Sequence, residues 1–207
     1  MTRTVKLKLV VLGDQGCGKS SILNQYVNNN FVSNYQATIG VDFFKKTIKY
    51  EDTKYEMCIW DTSGQEKFSA IVSSYYRNIT AVLLVFDLGN YSSFKNIKKW
   101  LDELEQYSNN DIVIRLIGNK NDIDFSRYQI LDEEIKQFCD DYDLIYYNVS
   151  AKKNINVQKI FTSIILEIKD KLANGIIKPS KKNGLEVIDT FDIEPKPIIN
   201  QGCCIIL

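Results

Sequence analysis

The octapeptide GDQGCGKS, Gly13–Ser20, fits the pattern G-x-x-x-x-G-K-[ST]. It follows VKLKLVVL, which reads as a strand, and opens a helical stretch from Lys19 to about Asn28. A glycine loop between a strand and a helix is the context in which this pattern captures phosphate. Backbone N–H groups of Gly16, Cys17, Gly18 and Lys19 can curl around an anion, and the helix N-terminus adds its dipole. Lys19 supplies positive charge for the outer phosphates, and the Ser20 hydroxyl suits Mg²⁺. Cys17 reads as a small filler rather than a reactive thiol.

Outward from the loop, DFFKKTIKY and KYEMCIWD flank the polar turn Glu51-Asp52-Thr53 and predict an antiparallel hairpin. AVLLVFD and IVIRLIGN are apolar runs of strand length, as expected for strands buried on both faces, and LIYYNVS is a third. Phe94, Ile97, Trp100, Leu101 and Leu104 keep helical spacing, as do Val157, Ile160, Phe161, Ile164, Ile165, Ile168 and Leu172. Both stripes read as core packing. The alternation predicts an α/β chain of three layers, a P-loop NTPase fold: a mostly parallel six-stranded sheet with one antiparallel edge hairpin and helices on both faces. Ligands of such sheets bind at the carboxyl ends of the strands. From about Ala173 the periodicity stops, and Pro179, Pro195 and Pro197 are the only prolines. The expected division is a domain over 1–172 and a flexible tail over 173–207.

Composition narrows the function. Lys+Arg and Asp+Glu are both 26, without the basic excess of a dedicated nucleic-acid binder. Histidine is absent, which excludes Ser-His and Cys-His catalysis. Five scattered cysteines and no apolar leader read as reduced thiols in the cytosol.

GNKND chooses the base. Asn119, Lys120 and Asp122 follow the IVIRLIGN strand. A carboxylate at Asp122 can accept from guanine N1–H and its 2-amino group, whereas adenine would leave it desolvated and unpaired. Lys120 can lie along the purine face. SAK, Ser150–Lys152, follows the last strand, where the Ala151 N–H can reach guanine O6.

With these motifs the chain resembles the small GTPases of the Ras superfamily, and among them the Rab family. The segments that carry the likeness are IGVDF (Ile39–Phe43), IWDTSGQEKF (Ile59–Phe68), YYRN (Tyr75–Asn78) and LVFDL (Leu84–Leu88). WLDELEQY, NDIV and the final CIIL are similar to the Rab branch associated with endoplasmic reticulum and lipid droplets. The resemblance implies that Thr38, with Ser20, binds Mg²⁺ and also the γ-phosphate, and that Asp61 holds the metal through water. It implies nucleotide contacts for Ser21 and Tyr35, with Phe31 packing on the guanine. The Gly64 N–H would contact the γ-phosphate, and Gln65 would orient the attacking water. Phe43, Trp60 and Tyr75 match the aromatic trio that Rabs present to effectors. Ser63 stands where the family usually has alanine, and Gln15 where a smaller residue is more usual; both bear on the hydrolysis rate.

The implied activity is a GTP/GDP switch in vesicle trafficking. In Ras itself hydrolysis alone faces a barrier of about 22 kcal/mol, lowered by ~6 kcal/mol when a partner supplies an arginine and the glutamine is ordered. The implied partners are an exchange factor, a GTPase-activating protein, a Rab escort/GDI-type chaperone and effectors, for a monomer on the cytoplasmic face of intracellular membranes that cycles through the cytosol. Two other readings remain at this point: a GTP-bound scaffold that hardly hydrolyses, and a P-loop nucleotide kinase, against which stands the lack of a lid or acceptor segment. The ending Cys204-Ile205-Ile206-Leu207 fits a prenylation motif whose last residue favours geranylgeranyl, with Cys203 as a second acceptor. The tail carries four lysines against four acids after Asn174, so no basic patch supplements a single lipid, and two lipids are expected. A coil of about 30 residues would set the domain about 30 Å from the bilayer.

Overall fold

The computed structural model describes residues 2–33, 37–64, 77–107, 112–180 and 183–190. Strand β1 (Thr2–Leu12) leads into the phosphate loop and helix α1 (Lys19–Asn28). The hairpin β2 (Val41–Tyr50) and β3 (Thr53–Thr62) follows, then β4 (Ala81–Asp87). Next come α2 (Tyr91–Lys95), α3 (Ile97–Tyr107) and β5 (Val113–Asn119). The order closes with α4 (Asp132–Tyr142), β6 (Ile145–Asn148), α5 (Val157–Ala173) and β7 (Leu185–Thr190). The main path of the sheet runs β2-β3-β1-β4-β5-β6, and along it only the β2–β3 hairpin is antiparallel.

Alternation along β1 divides the core into two layers. Val5, Leu7, Leu9 and Val11 face α1 and α5, where Ile22, Leu23, Ile160, Phe161 and Ile164 are buried. Val10 and Leu12 face the other way, toward Phe94, Ile97, Trp100 and Leu101 on α2 and α3 and Ile135 on α4. β4 feeds both layers, which is why its sequence is apolar without interruption. Each fully buried leucine, isoleucine or phenylalanine contributes about 1.5–3 kcal/mol. Arg115 interrupts the apolar run of β5, yet is 3% exposed. It reaches α5, donating to Ser163 Oγ at 3.0 Å and to Glu167 at 2.6 Å, and also donates to the Ile114 carbonyl at 3.0 Å.

The structure departs from the sequence expectation beyond α5. Residues 185–190 are not an unstructured tail: β7 pairs antiparallel with the amino-terminal half of β1, Leu185 opposite Leu7 and Thr190 opposite Thr2. Among the described residues the sheet therefore has seven strands rather than six. β4 covers β1 only from Leu9 onward, which leaves residues 2–7 an open edge for β7 to occupy. Leu185 is fully buried and Ile177 is 5% exposed. Gly184 makes the entry turn at φ +64°, where a side chain would run into the backbone of Asn78. Its carbonyl accepts from the Lys8 amide at 3.1 Å and the Thr80 hydroxyl at 2.8 Å.

Candidate nucleotide-binding site

The loop after β1, the carboxyl ends of β3 and β5 and the loop after β6 meet at one cavity of about 650 Å³. Gly16, Gly18, Lys19, Ser20, Ser21, Phe31, Thr38, Asp61, Asn119, Lys120, Asp122, Ala151 and Lys152 line it. Cys17, Gly64 and Ser150 are buried and do not line it. Tyr35, Gln65, Tyr75, Cys203 and Cys204 lie outside the described residues.

At the phosphate end, α1 begins at Gly18 with no side-chain cap, so its first-turn amides remain for an anion. Gly18 sits at φ +95°, and a Cβ there would collide with the Asn119 amide. Lys19 is 5% exposed, and its ammonium donates to the carbonyls of Gly13 and Asp14, both at 2.9 Å. Burial raises the Cys17 thiol pKa above its ordinary value, consistent with a filler.

Beside Lys19, three oxygen-bearing side chains converge. Ser20 Oγ donates to Asp61 Oδ2 and lies 2.9 Å from Thr38 Oγ1, which is 3.5 Å from the same carboxylate oxygen. Asp61 is 1% exposed, and burial pushes its carboxyl up to about 6 against the Ser20 hydrogen bond and the Lys19 charge. Its Oδ1 has no hydrogen-bond partner among the described residues. One carboxylate and two hydroxyls form a hard-oxygen set of the kind Mg²⁺ takes alongside phosphates and water. Among the described residues no cluster of three or more His, Cys, Asp or Glu side chains offers a protein-only metal cage.

At the base end, Ser150 Oγ donates to Asp122 Oδ1 at 2.6 Å and so orients the carboxylate. Asn119 is 2% exposed and fully employed: its Nδ2 donates to the Cys17 carbonyl at 2.9 Å, and its Oδ1 accepts from the Ala151 amide at 3.2 Å. It ties the phosphate loop to the loop after β6, a role the motif alone did not reveal. Two supporting carboxylates also escaped the sequence reading. Asp87, at the end of β4, holds Lys120 Nζ at 2.7 Å. Asp14 accepts from Asn96 Nδ2 at 2.7 Å and Trp100 Nε1 at 3.1 Å, which fastens the phosphate loop to α3 and the residue before it. Of the two departures noted above, Ser63 lines the cavity, whereas Gln15 is exposed and does not.

Away from the cavity, Phe43 on β2 is 51% exposed and stands edge-on to Trp60 on β3, ring centres 5.1 Å apart. Lys8 Nζ lies 5.0 Å from the centre of the Trp60 ring.

A parallel sheet with a phosphate loop after its first strand and a guanine-type carboxylate after its fifth defines a nucleotide-binding protein. The Ras family model matches residues 8–170. Ras-related protein RAB1BV of Beta vulgaris is 36% identical over 198 residues, 96% of this chain and 92% of that protein. GTP-binding protein YPTM2 of Zea mays is 34% identical over 197 residues, 95% of this chain and 94% of that one. Ras-related protein Rab-1 of Theileria annulata is 41% identical over 166 residues, 80% and 75% respectively. The chain belongs to the Ras family of small GTPases, in its Rab branch. It is a GTP-binding, GTP-hydrolysing switch of vesicle traffic that works through regulators and effectors. No helix among the described residues is long and apolar enough to cross a membrane.

Proposed function

We propose that the switch is read at the junction of Lys19, Ser20, Thr38 and Asp61, and that these residues hold the outer phosphates of GTP together with Mg²⁺. The observation that carries this is the convergence of Ser20 Oγ, Thr38 Oγ1 and Asp61 Oδ2 beside the buried Lys19 ammonium. When bound, the metal supplies Lewis-acid charge on the outer phosphate oxygens. Lys19 gives up the Gly13 and Asp14 carbonyls for the phosphates, and the uncapped amides of α1 bind the inner oxygens. Asp122 selects guanine, with Ser150 fixing its orientation and Asp87 fixing Lys120. Phe31, Ser21, Tyr35 and Lys152 complete the nucleotide contacts, and Gly64 senses the γ-phosphate. Gln65 orients the attacking water, and an activating protein supplies the missing positive charge.

In the same reading an exchange factor reloads the site, and Phe43, Trp60 and Tyr75 present the GTP state to effectors. Lipids on Cys203 and Cys204 anchor the protein to the cytoplasmic face of intracellular membranes, and an escort/GDI-type chaperone carries it through the cytosol. We place the end of the folded domain at Thr190 rather than near Ala173. Thr190 pairs with Thr2, at the end of the sheet away from the cavity. Thirteen residues lead from there to Cys203. A linker of that length with coil dimensions reaches about 20 Å rather than about 30 Å.

Single-turnover GTP hydrolysis tests the catalytic assignment. Gln65→Leu should slow the activator-stimulated rate by about 10²-fold or more and leave GTP affinity within about threefold, because it acts on the water and not on the ground-state nucleotide. A stimulated rate unchanged by this substitution removes Gln65 from the mechanism.

A further inference from the structure

Two buried oxygens at the outer-phosphate end of the cavity have no hydrogen-bond partner among the described residues: Oδ1 of Asp61 and Oγ of Ser63. The residues are 1% and 4% exposed, and both line the cavity. They stand two positions apart at the end of β3, so alternation gives them one face of the chain. The Ser63 amide donates to the Gly40 carbonyl at 3.0 Å, which carries the hairpin ladder one step past Thr62. Thr62 between them is spent elsewhere, its hydroxyl donating to the Val11 carbonyl at 2.7 Å.

The chemistry of the pair is specific. Asp61 Oδ2 is already taken by Ser20 and Thr38, which leaves Oδ1 for a donor from outside the protein. An ionised carboxylate oxygen only accepts, and a serine hydroxyl can also accept. A water on a hard cation points its two hydrogens away from the metal and needs two acceptors. Packing does not explain a serine here: an unpaired buried hydroxyl is unfavourable next to a methyl group.

We propose that Ser63 is a further positioning residue of the metal site: with Asp61 it holds a water of the Mg²⁺ shell, and so tightens the metal and, through it, the nucleotide. The inference rests on the Mg²⁺ assignment made above. It makes the serine at this position a gain in metal retention for both nucleotide states.

The test uses the full chain, wild type and Ser63→Ala, loaded with fluorescent GDP or a fluorescent non-hydrolysable GTP analogue. Release is followed against excess unlabelled nucleotide from chelator to millimolar free Mg²⁺. The Mg²⁺ concentration that half-suppresses release should rise about fivefold in Ser63→Ala, the worth of one net hydrogen bond, and by the same factor for both nucleotides. Release in chelator, and the melting temperature there, should match wild type. An unchanged Mg²⁺ midpoint overturns the proposal. A shift confined to the GTP analogue overturns it in favour of a direct contact with the terminal phosphate. A lower melting temperature of Ser63→Ala in chelator overturns it in favour of packing. Release from wild type that ignores Mg²⁺ overturns the metal assignment as well, and that failure is visible without the variant.

Discussion

Leu185→Ala tests whether the stretch after α5 is part of the folded domain. Leu185 is fully buried in the core layer shared with α1 and α5 and lies opposite Leu7. Truncating a buried leucine removes its transfer free energy and leaves a cavity, at about 2–5 kcal/mol. β7 lies outside the main strand path, paired with β1 and bridged at Leu185 to Ser180, so the site can partly collapse, which places the cost near ~2–3 kcal/mol. For a domain of this size each kcal/mol moves Tm by about 2–4 °C, so the GDP-loaded variant should melt about 4–12 °C lower. Asp189→Ala is the control on the same strand. Its ion pair with Arg3 is 4.0 Å long, with side chains 45% and 52% exposed, and such a pair is worth well under ~1 kcal/mol. Truncation after Ala173 should cost at least as much as Leu185→Ala. If the segment is only a tether, Leu185→Ala and the truncation melt with wild type, and the argument for a seventh strand fails.

Two further perturbations separate the parts of the site. Ser20→Asn should weaken Mg²⁺–GTP binding by about tenfold more than GDP binding, read by equilibrium titration, because the outer phosphate depends on the shared metal; equal loss for both nucleotides would count against Ser20 as a ligand. Replacing Cys203 and Cys204 together with Ser should move the protein to the soluble fraction while leaving GDP binding and Tm unchanged. Either single replacement should give intermediate retention, since one chain anchors only marginally; firm membrane retention of the double variant would place the anchor elsewhere.

Local signals made most of this molecule legible. Helix α1 begins and ends where the sequence places it, because the glycine loop fixes its start. β4 and β5 declare themselves through apolar runs that only a doubly covered strand needs. α4 was missed: its core contacts are few, chiefly Ile135 with Phe138 and Cys139, although three acids in its first turn favour a helix start there. The stripe from Phe94 to Leu104 is two helices, broken at Asn96, whose side chain is drawn to Asp14. β7 was invisible because LEVIDT is short with a single fully buried anchor, and its place depends on where β4 begins. Around the cavity, the phosphate-loop, GNKND and SAK motifs are contiguous in sequence, and most of their residues line it. Asp14 and Asp87 could not, since their partners lie 82, 86 and 33 positions away and only the fold brings them together.

The most direct test of the guanine-nucleotide assignment is equilibrium competition of GDP, ADP and XDP for the loaded site, in wild type and in Asp122→Asn. Ser150 orients Asp122, whose carboxylate is, in the function proposed above, the group that separates guanine from the other purines. Wild type should prefer GDP over ADP by about 10³-fold or more, since adenine would cover the Asp122 carboxylate without offering it the two donors of guanine. Asp122→Asn should reverse the order of GDP and XDP, because an amide donates to the 2-oxo group that the carboxylate repels. ADP competing within about tenfold of GDP in wild type, or a variant that still prefers GDP over XDP, would contradict the account.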